Sequence, residues 1–357
     1  MKVSCIFMRG HSLRQVQVSF YPPKLMPLNM QGDSFSLRLA RGTLCTMRTV
    51  ITSPDGTPAS RFAFGTMQFG DAADEAASRA MFDACLAAGI THFDTAHLYT
   101  DGAAETLLGQ FAAPHRDRLT IATKAGYSGG AGRANILAQF DISRQRLGMD
   151  KVEILYLHRF DPDTPLEETL ETFADLRARG QIDHVGLSNF AAWQVMKAAC
   201  IAARFDLTIS ILQPMYSLIK RQAEVEILPM AASEGMVVAG YSPLAGGLLT
   251  GKYARGETGR LTGNERYAVR YGQGWMQEAA VHLSQIAQEL GTDPATLAVA
   301  WAAQHPARPV PIISGRSAAQ IAPSLAALEF DMDAALYARM AALSPAPPPA
   351  TDRTEEA

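Results

Sequence analysis

Cysteine is scarce in this 357-residue chain: Cys5, Cys45, Cys85 and Cys200 are all it has, with no CxxC pair and no metal-ligand spacing. That leaves no basis for a metal site and points to a reducing compartment, taken as the cytoplasm. Cys85 and Cys200 fall inside helical patterns and are expected to be buried thiols. Long apolar runs are missing too. No stretch of 18 apolar residues occurs, so no membrane-spanning helix is expected. A GxGxxG fingerprint after the first strand is absent, which argues against a doubly wound dinucleotide fold. A net basic charge is lacking beyond the start of the chain. Residues 1–46 hold Lys2, Arg9, Arg14, Lys24, Arg38 and Arg41 against Asp33, a net of +5, so of the formal −3 the remainder carries −8. An acidic body of this kind does not suit a nucleic-acid partner.

What is present is an ordinary globular composition, 48% hydrophobic and 19% charged, with a mean hydropathy of −0.01. Residues 1–46 show no sustained period of 2 or 3.6 and are interrupted by Tyr21-Pro-Pro-Lys-Leu-Met-Pro. They are expected to lie outside the core fold. Two origins fit them: a basic targeting extension, or a start assigned too far upstream, favoured because Met47 opens a fresh strand and turn. After Leu343 the Pro-rich residues 344–357 lack core residues and are expected to be disordered.

From Met47 the pattern is regular. Residues 49–52 and 61–64 flank a Pro54-Asp55-Gly56 turn and predict a β-hairpin. Strand 62–69 leads into helix 73–88, then strand 91–96, helix 103–112, strand 119–124, helix 134–147 and strand 154–158. Helix 166–179, strand 185–188, helix 191–203, strand 210–213, helix 222–234 and strand 237–241 follow. The polar residues at the strand ends, Asp94, Lys124, His158, Asn189, Gln213 and Tyr241, are spaced by 30, 34, 31, 24 and 28 residues. Each interval is one strand-plus-helix unit, which requires parallel pairing. A Gly/Arg/Tyr-rich loop at 246–274 and helices 276–290 and 294–304 precede the last strand, 310–313. Eight strands predict an α/β chain of the (β/α)8 TIM-barrel type, spanning 47–343, with extra helices before the last strand.

Gly89-Ile-Thr-His-Phe-Asp-Thr-Ala-His-Leu-Tyr99 is the stretch around which the rest is organised. Asp94 and Tyr99 sit where a strand passes into a loop, and Lys124 and His158 stand at the next two strand ends. All four are expected to face one mouth. Taken singly, each has an ordinary role as a cap, a packed ring, a surface charge or a structural hydrogen-bonder. Together they suit carbonyl reduction. A free phenol near pKa 10 is a poor acid at neutral pH, and a neighbouring Lys124 ammonium is expected to lower it. Asp94 would hold Lys124 in place and charged, and His158 would orient the carbonyl oxygen or help relay the proton.

Phe93-Asp94-Thr95-Ala96-x-x-Tyr99 with Glu105 and Leu108-Gly109, then Ala122-Thr123-Lys124 and Leu155-Tyr156-Leu157-His158-Arg159, resemble the signatures of the aldo-keto reductases in combination and order. The resemblance runs from about Met47 to Leu328. It implies the four roles above and hydride transfer from a nicotinamide without a metal. A histidine at 158 resembles the carbonyl-reducing members.

For the cofactor, Ser242-Pro-Leu-Ala-Gly-Gly-Leu-Leu-Thr-Gly251 and Ser314-Gly315-Arg316-Ser317 are either turns or loops that suit phosphate, the second with a cation at a helix start. The resemblance implies that Ser188, Asn189 and Gln213 hold the nicotinamide amide and that Tyr216 stacks on its ring. It gives Ser242, Leu244 and Gly246 to the pyrophosphate, and Ser314, Gly315, Arg316, Ser317 and Gln320 to the adenosine end. Arg316 and Ser317 near a 2′-phosphate favour NADP(H), with NAD(H) possible. Ala322 and Ser324 depart from the acidic residue and asparagine often found there.

A small carbonyl compound is the expected partner. Tyr127, Phe160, Tyr253, Tyr267, Tyr271 and Trp275 either line its pocket or pack the long loop. Two rival functions remain: a non-catalytic cofactor-binding barrel resembling the channel β-subunits, and a barrel enzyme using Lys124 as a Schiff-base amine.

Overall fold

The computed structural model describes residues 2–9, 12–19, 49–351 and 353. The chain divides into two compact units, Met1–Leu44 and Cys45–Ala357. In the first, strands β1 (Lys2–Arg9) and β2 (Ser12–Ser19) pair antiparallel, with Lys2 opposite Ser19 and Arg9 opposite Ser12. The sequence predicts no strands there. Short, irregular hydrophobic patterning conceals these two strands in the sequence. The rest of the 1–46 segment lies outside the described residues.

The second unit is a closed barrel of parallel strands in the order β10-β3-β4-β5-β6-β7-β8-β9. The strands are β3 (Ala63–Gly65), β4 (His92–Asp94), β5 (Thr120–Ala125), β6 (Val152–Leu157), β7 (Ile182–Ser188), β8 (Ile209–Gln213), β9 (Val237–Tyr241) and β10 (Val310–Ile313). Between β3 and β9 run helices α1 (Glu75–Ala87), α2 (Ala103–Ala112), α3 (Arg133–Leu147), α4 (Leu166–Ala178), α5 (Ala192–Ala202) and α6 (Ile227–Ser233). The eight-stranded barrel is therefore the architecture that the strand spacing predicts.

Alternation along the strands separates two cores. Ala63, Ala122, Ile154, Tyr156, Ile211, Val237, Ala239 and Ile312 pack together inside the tube. Phe64, Phe93, Ile121, Leu155, Leu187, Leu212 and Ile313 face outward into the layer of helices. Strands buried on both faces read as near-continuous apolar runs, which is why β6 and β9 are plain in the sequence. Gly186 leaves room for the Tyr156 ring inside the barrel, because a Cβ there would run into it.

The predicted hairpin at 49–64 is short. One antiparallel bridge joins Thr52 to Pro58 around a turn in which Asp55 accepts from Ser53 Oγ (2.8 Å) and Thr57 N (2.9 Å). The chain from Ala63 pairs with β4 and β10 instead, since closing the barrel outweighs extending a hairpin. Residues 246–274, predicted as loop, are largely helical turns, including α7 (Arg260–Gly263) and α8 (Glu265–Tyr271). Helices α9 (Gly274–Glu289) and α10 (Pro294–Gln304) then precede β10.

Helices α11 (Ala318–Ala326) and α12 (Ala334–Ala341) end the fold. Tyr337 of α12 stacks on Trp301 of α10 at 5.4 Å and 8°. Ser344 is buried and accepts from Arg221 at 3.4 Å, so the first residue of the Pro-rich tail touches the body. No helix among the described residues is long and apolar enough to cross a membrane. Cys85 is buried as expected, whereas Cys200 is exposed, because its turn of α5 faces away from the barrel.

Candidate active site

Asp94 closes β4 and Lys124 occupies an inward position of β5, both buried. Lys124 Nζ donates to Asp94 Oδ2 at 2.5 Å and to the Thr95 carbonyl at 2.7 Å. Asp94 Oδ1 accepts from Gln213 Nε2 at 2.8 Å. Strand β8 stands four places round the barrel from β4, so this bond spans the tube. Tyr99 comes down from a turn above β4, with its hydroxyl 3.4 Å from Lys124 Nζ. His158, just past β6, sets its ring 6.0 Å from the Tyr99 ring, edge on. The four residues predicted from strand ends thus form one cluster at the carboxyl end of the barrel.

Their electrostatics follow from burial and from one cation. Burial works against charge on Lys124, but Asp94 and Tyr99 overcome it and leave its pKa raised, so it stays an ammonium. Burial raises the Tyr99 phenol; Lys124 pulls it down and Asp94 pushes it up, leaving it above its ordinary value. The expected lowering by Lys124 is therefore present but outweighed. Burial, Lys124 and Arg159 push His158 down to about 2. It is neutral, and its Nδ1 is buried with no hydrogen-bond partner. A neutral imidazole can donate a hydrogen bond from its one N–H and so orient a carbonyl oxygen; it has no second proton to give up as an acid.

The turn that delivers Tyr99 is strained. Thr100 (φ 46°), Asp101 (φ 51°) and Gly102 (φ 96°) are left-handed in succession. For the two non-glycine residues this costs roughly 1–2 kcal/mol each. Thr100 Oγ1 offsets part of that by donating to Phe69 O and accepting from Ala104 N, both at 2.9 Å.

On the other side of the mouth, Ser188 Oγ donates to Gln213 O (3.0 Å) and Asn189 Nδ2 to His158 O (3.0 Å) and Ser188 Oγ (3.1 Å). Tyr241, at the end of β9, donates its hydroxyl to Asn189 Oδ1 at 2.7 Å. Tyr216 is elsewhere. Its ring is buried against Trp301 at 5.7 Å, and its hydroxyl donates to Glu224 Oε1 at 2.9 Å, on the helix side of the wall. Residues 214–216 still pair with Tyr241 at the end of β9, and the Tyr216 side chain packs into the helix layer, so proximity in sequence to a strand end does not put its ring at the mouth. The ring available there is Tyr241, marked in the sequence as the last residue of a strand before the Ser242 loop.

Ser242 (φ 59°), Ala245 (φ 49°), Gly246 (φ 67°) and Gly247 (φ 93°) are left-handed, with Leu244 between them, and the Ala245 and Gly247 N–H groups bond the Ser242 and Leu244 carbonyls, both at 2.9 Å. Lys252, which motif reasoning missed, lays its ammonium against Gly247 and Gly259. After β10, Ser314 Oγ is buried without a partner and Gly315 packs too closely on Ile321 to admit a Cβ. Arg316 is exposed, its backbone N bound to Gln320 Oε1 at 2.6 Å, while Ser317 caps α11 by accepting from Gln320 N at 3.2 Å. The orphaned Ser314 hydroxyl and the Lys252 and Arg316 cations fit a dinucleotide phosphate chain. Ser324 is fully buried and Ala322 exposed, so α11 offers no side-chain pair for an adenine.

Among the predicted pocket rings, Tyr127 lies 5.0 Å from His158, and Phe160 packs on Phe190 and Trp193. Tyr271 is fully buried and packs the long loop. A cavity of about 530 Å³ opens at the opposite end of the barrel, lined by His92, Arg61 and Arg308, remote from this chemistry. Among the described residues, no group of three or more His, Cys, Asp or Glu side chains could hold a metal ion.

A barrel whose mouth gathers a buried lysine–aspartate pair, a tyrosine and a neutral histidine defines a class, and comparison with known proteins identifies it. The chain belongs to the aldo/keto reductase family, whose model matches residues 61–345. It is 32% identical over 311 residues to the uncharacterized oxidoreductase YrpG of Bacillus subtilis (strain 168), covering 82% of this chain and 94% of that one. A probable voltage-gated potassium channel subunit beta of Oryza sativa subsp. japonica is 34% identical over 271 residues, 70% of this chain and 82% of its own. Aflatoxin B1 aldehyde reductase member 2 of Homo sapiens is 35% identical over 239 residues, 63% of this chain and 67% of its own.

Proposed function

We propose that the protein reduces an aldehyde or ketone to the alcohol, using NADPH in preference to NADH. The observation that carries this is the Asp94–Lys124–Tyr99 chain of contacts beside a neutral His158. A carbonyl oxygen seated between Tyr99 and His158 accepts a hydrogen bond from each. As negative charge develops on that oxygen, the Tyr99 hydroxyl gives it a proton, and the fixed Lys124 ammonium, 3.4 Å away, stabilises the phenolate left behind. Asp94 keeps Lys124 in place, and Gln213 keeps Asp94 from turning.

A bound nicotinamide would supply the hydride. Ser188, Asn189 and Tyr241 would orient its amide and ring. Ser242, Leu244, Gly246 and Lys252 would receive the pyrophosphate, and Ser314, Gly315 and Arg316 the adenosine end. An exposed arginine at a helix start favours a 2′-phosphate. The reading includes a reducing, cytoplasmic setting, supported by the free thiols of Cys85 and Cys200, and a small-molecule partner rather than nucleic acid or membrane.

The test is NADPH oxidation against a panel of aldehydes and ketones, with Tyr99→Phe beside the parent. The parent should turn over and Tyr99→Phe should lose at least roughly 100-fold in kcat, the size of a general-acid contribution, with cofactor binding kept. Turnover surviving in Tyr99→Phe would remove the proton donor. Similarity to a channel β-subunit supports a second reading, a cofactor-binding regulatory barrel, which predicts tight NADPH binding with no turnover of any carbonyl.

A further inference from the structure

Arg146 lies near the end of α3, outside the barrel wall, yet it reaches both segments that carry the proton-donating pair. Its Nη1 donates to the His97 carbonyl at 2.8 Å and to Glu105 Oε2 at 3.2 Å. His97 is two residues before Tyr99, and its own backbone N–H donates to the Lys124 carbonyl at 3.1 Å. Glu105, fully buried, uses its other oxygen to accept from Thr123 Oγ1 at 2.6 Å, one residue before Lys124. Gly102 lies flat against the guanidinium, where any Cβ would collide with it. The helices are pressed together as well, since a Cβ on Gly109 of α2 would collide with the Leu147 backbone of α3.

Two bonded routes therefore leave one side chain. One runs through His97 to the turn that bears Tyr99; the other runs through Glu105 and Thr123 to the strand that bears Lys124. The turn between them is left-handed at Thr100, Asp101 and Gly102 and is held against that strain by external bonds. The Tyr99–Lys124 contact it sets is 3.4 Å, long enough that a shift of a few tenths of an ångström would break it.

We propose that Arg146 is a positioning residue, which fixes the distance between the Tyr99 hydroxyl and the Lys124 ammonium without touching substrate or cofactor. This rests on carbonyl reduction with Tyr99 as the donor. The groups facing Tyr99 are Lys124 and Asp94 from β5 and β4, His158 after β6, Tyr241 at the end of β9 and Tyr267 on α8. None bonds Arg146, so its influence passes through the backbone.

The experiment compares Arg146→Met and Arg146→Lys with the parent and with Tyr99→Phe. Measured are kcat, KM and cofactor Kd, and the titration of the Tyr99 ring by 13Cζ-tyrosine NMR, its signal identified by absence in Tyr99→Phe. Arg146→Met should lose roughly 10- to 100-fold in kcat, the cost of displacing a reacting group by about 1 Å, with KM and cofactor Kd within about twofold. The Tyr99 pKa should rise in both variants. Arg146→Lys keeps the charge, but its ammonium ends one bond short of the Nη1 that bonds both acceptors, so a rise there reports position rather than lost charge.

Should Arg146→Met fail to fold, Arg146→Lys decides alone, with a loss of about threefold or more expected. Parental kcat and a parental Tyr99 titration in Arg146→Lys would overturn the proposal. Full activity in Tyr99→Phe would instead overturn the reaction on which it rests.

Discussion

Two histidines held neutral by burial make single side chains into acid-sensitive points. His92 lies inside the barrel with Nε2 unpartnered, and burial, opposed in part by Asp94, pushes its pKa down to about 4. His158 at the mouth is pushed to about 2. When the folded-state pKa is depressed, the unfolded chain takes up the proton first. Stability is then full above the unfolded pKa of about 6.5 and falls as pH drops, until the folded value is reached. For His92 the loss between pH 7 and pH 5 is roughly 2 kcal/mol. Urea denaturation at the two pH values should show His92→Leu losing less stability on acidification than the parent by about that amount. Equal losses would mean that His92 does not titrate as a buried neutral group. At the same scale, the sign of the Lys124 effect on Tyr99 was legible from neighbouring strand ends. The larger effect of burial was not, because enclosure is set by side chains far away in sequence.

Among the elements, strand ends are what the sequence displays most clearly. β9 and β10 are bounded as predicted because buried parallel strands are short apolar runs closed by Tyr-Ser-Pro and Ser-Gly. Less legible were places where two elements compete for one stretch, as at 61–64, or where a side chain just past a strand end packs into the helix layer, as at Tyr216. Close approach is another feature that pattern does not show. Gly186 on β7 touches the Tyr156 ring on β6, so Gly186→Ala forces the ring off its rotamer or spreads the wall. The expected cost is about 1–3 kcal/mol, read from denaturant midpoints. Adding Tyr156→Leu should recover most of it, since the smaller side chain vacates the space. Additive losses in the double variant would show that the clash lies elsewhere.

On the proposed function, binding and folding of the whole molecule are linked through the loops assigned there to the cofactor. The strands between β7 and β10, the 242–247 loop and the start of α11 come together only in the closed barrel. A dinucleotide bound there stabilises the folded state. At 100 times its Kd, NADPH should add about 2.7 kcal/mol; NADH at the same concentration should add less. Arg316→Ala should remove most of the difference, measured as shifts in the thermal midpoint. Equal shifts for both cofactors in the parent would deny Arg316 its part in selecting NADPH. The general location of these loops could be read from glycine, serine and proline after strand ends. The replacement of Tyr216 by Tyr241 as the ring at the mouth, and the arrival of Lys252, depend on how the 214–224 and 245–259 segments fold back.

Asp94, Tyr99, Lys124 and His158 come from three successive units of the first half of the chain, and the residues proposed to hold the nicotinamide come from the second. Two side-chain bonds that stitch the halves across the mouth run from Gln213 to Asp94 and from Asn189 to the His158 carbonyl. In terms of recombination, the gene has a seam. A crossover in the α4 region would exchange the hydride half as a cassette while leaving the acid half whole. The exchanged piece must bring its own glutamine and asparagine to the two sutures. A chimaera that honours them inherits its proton chemistry from one parent and its cofactor choice from the other.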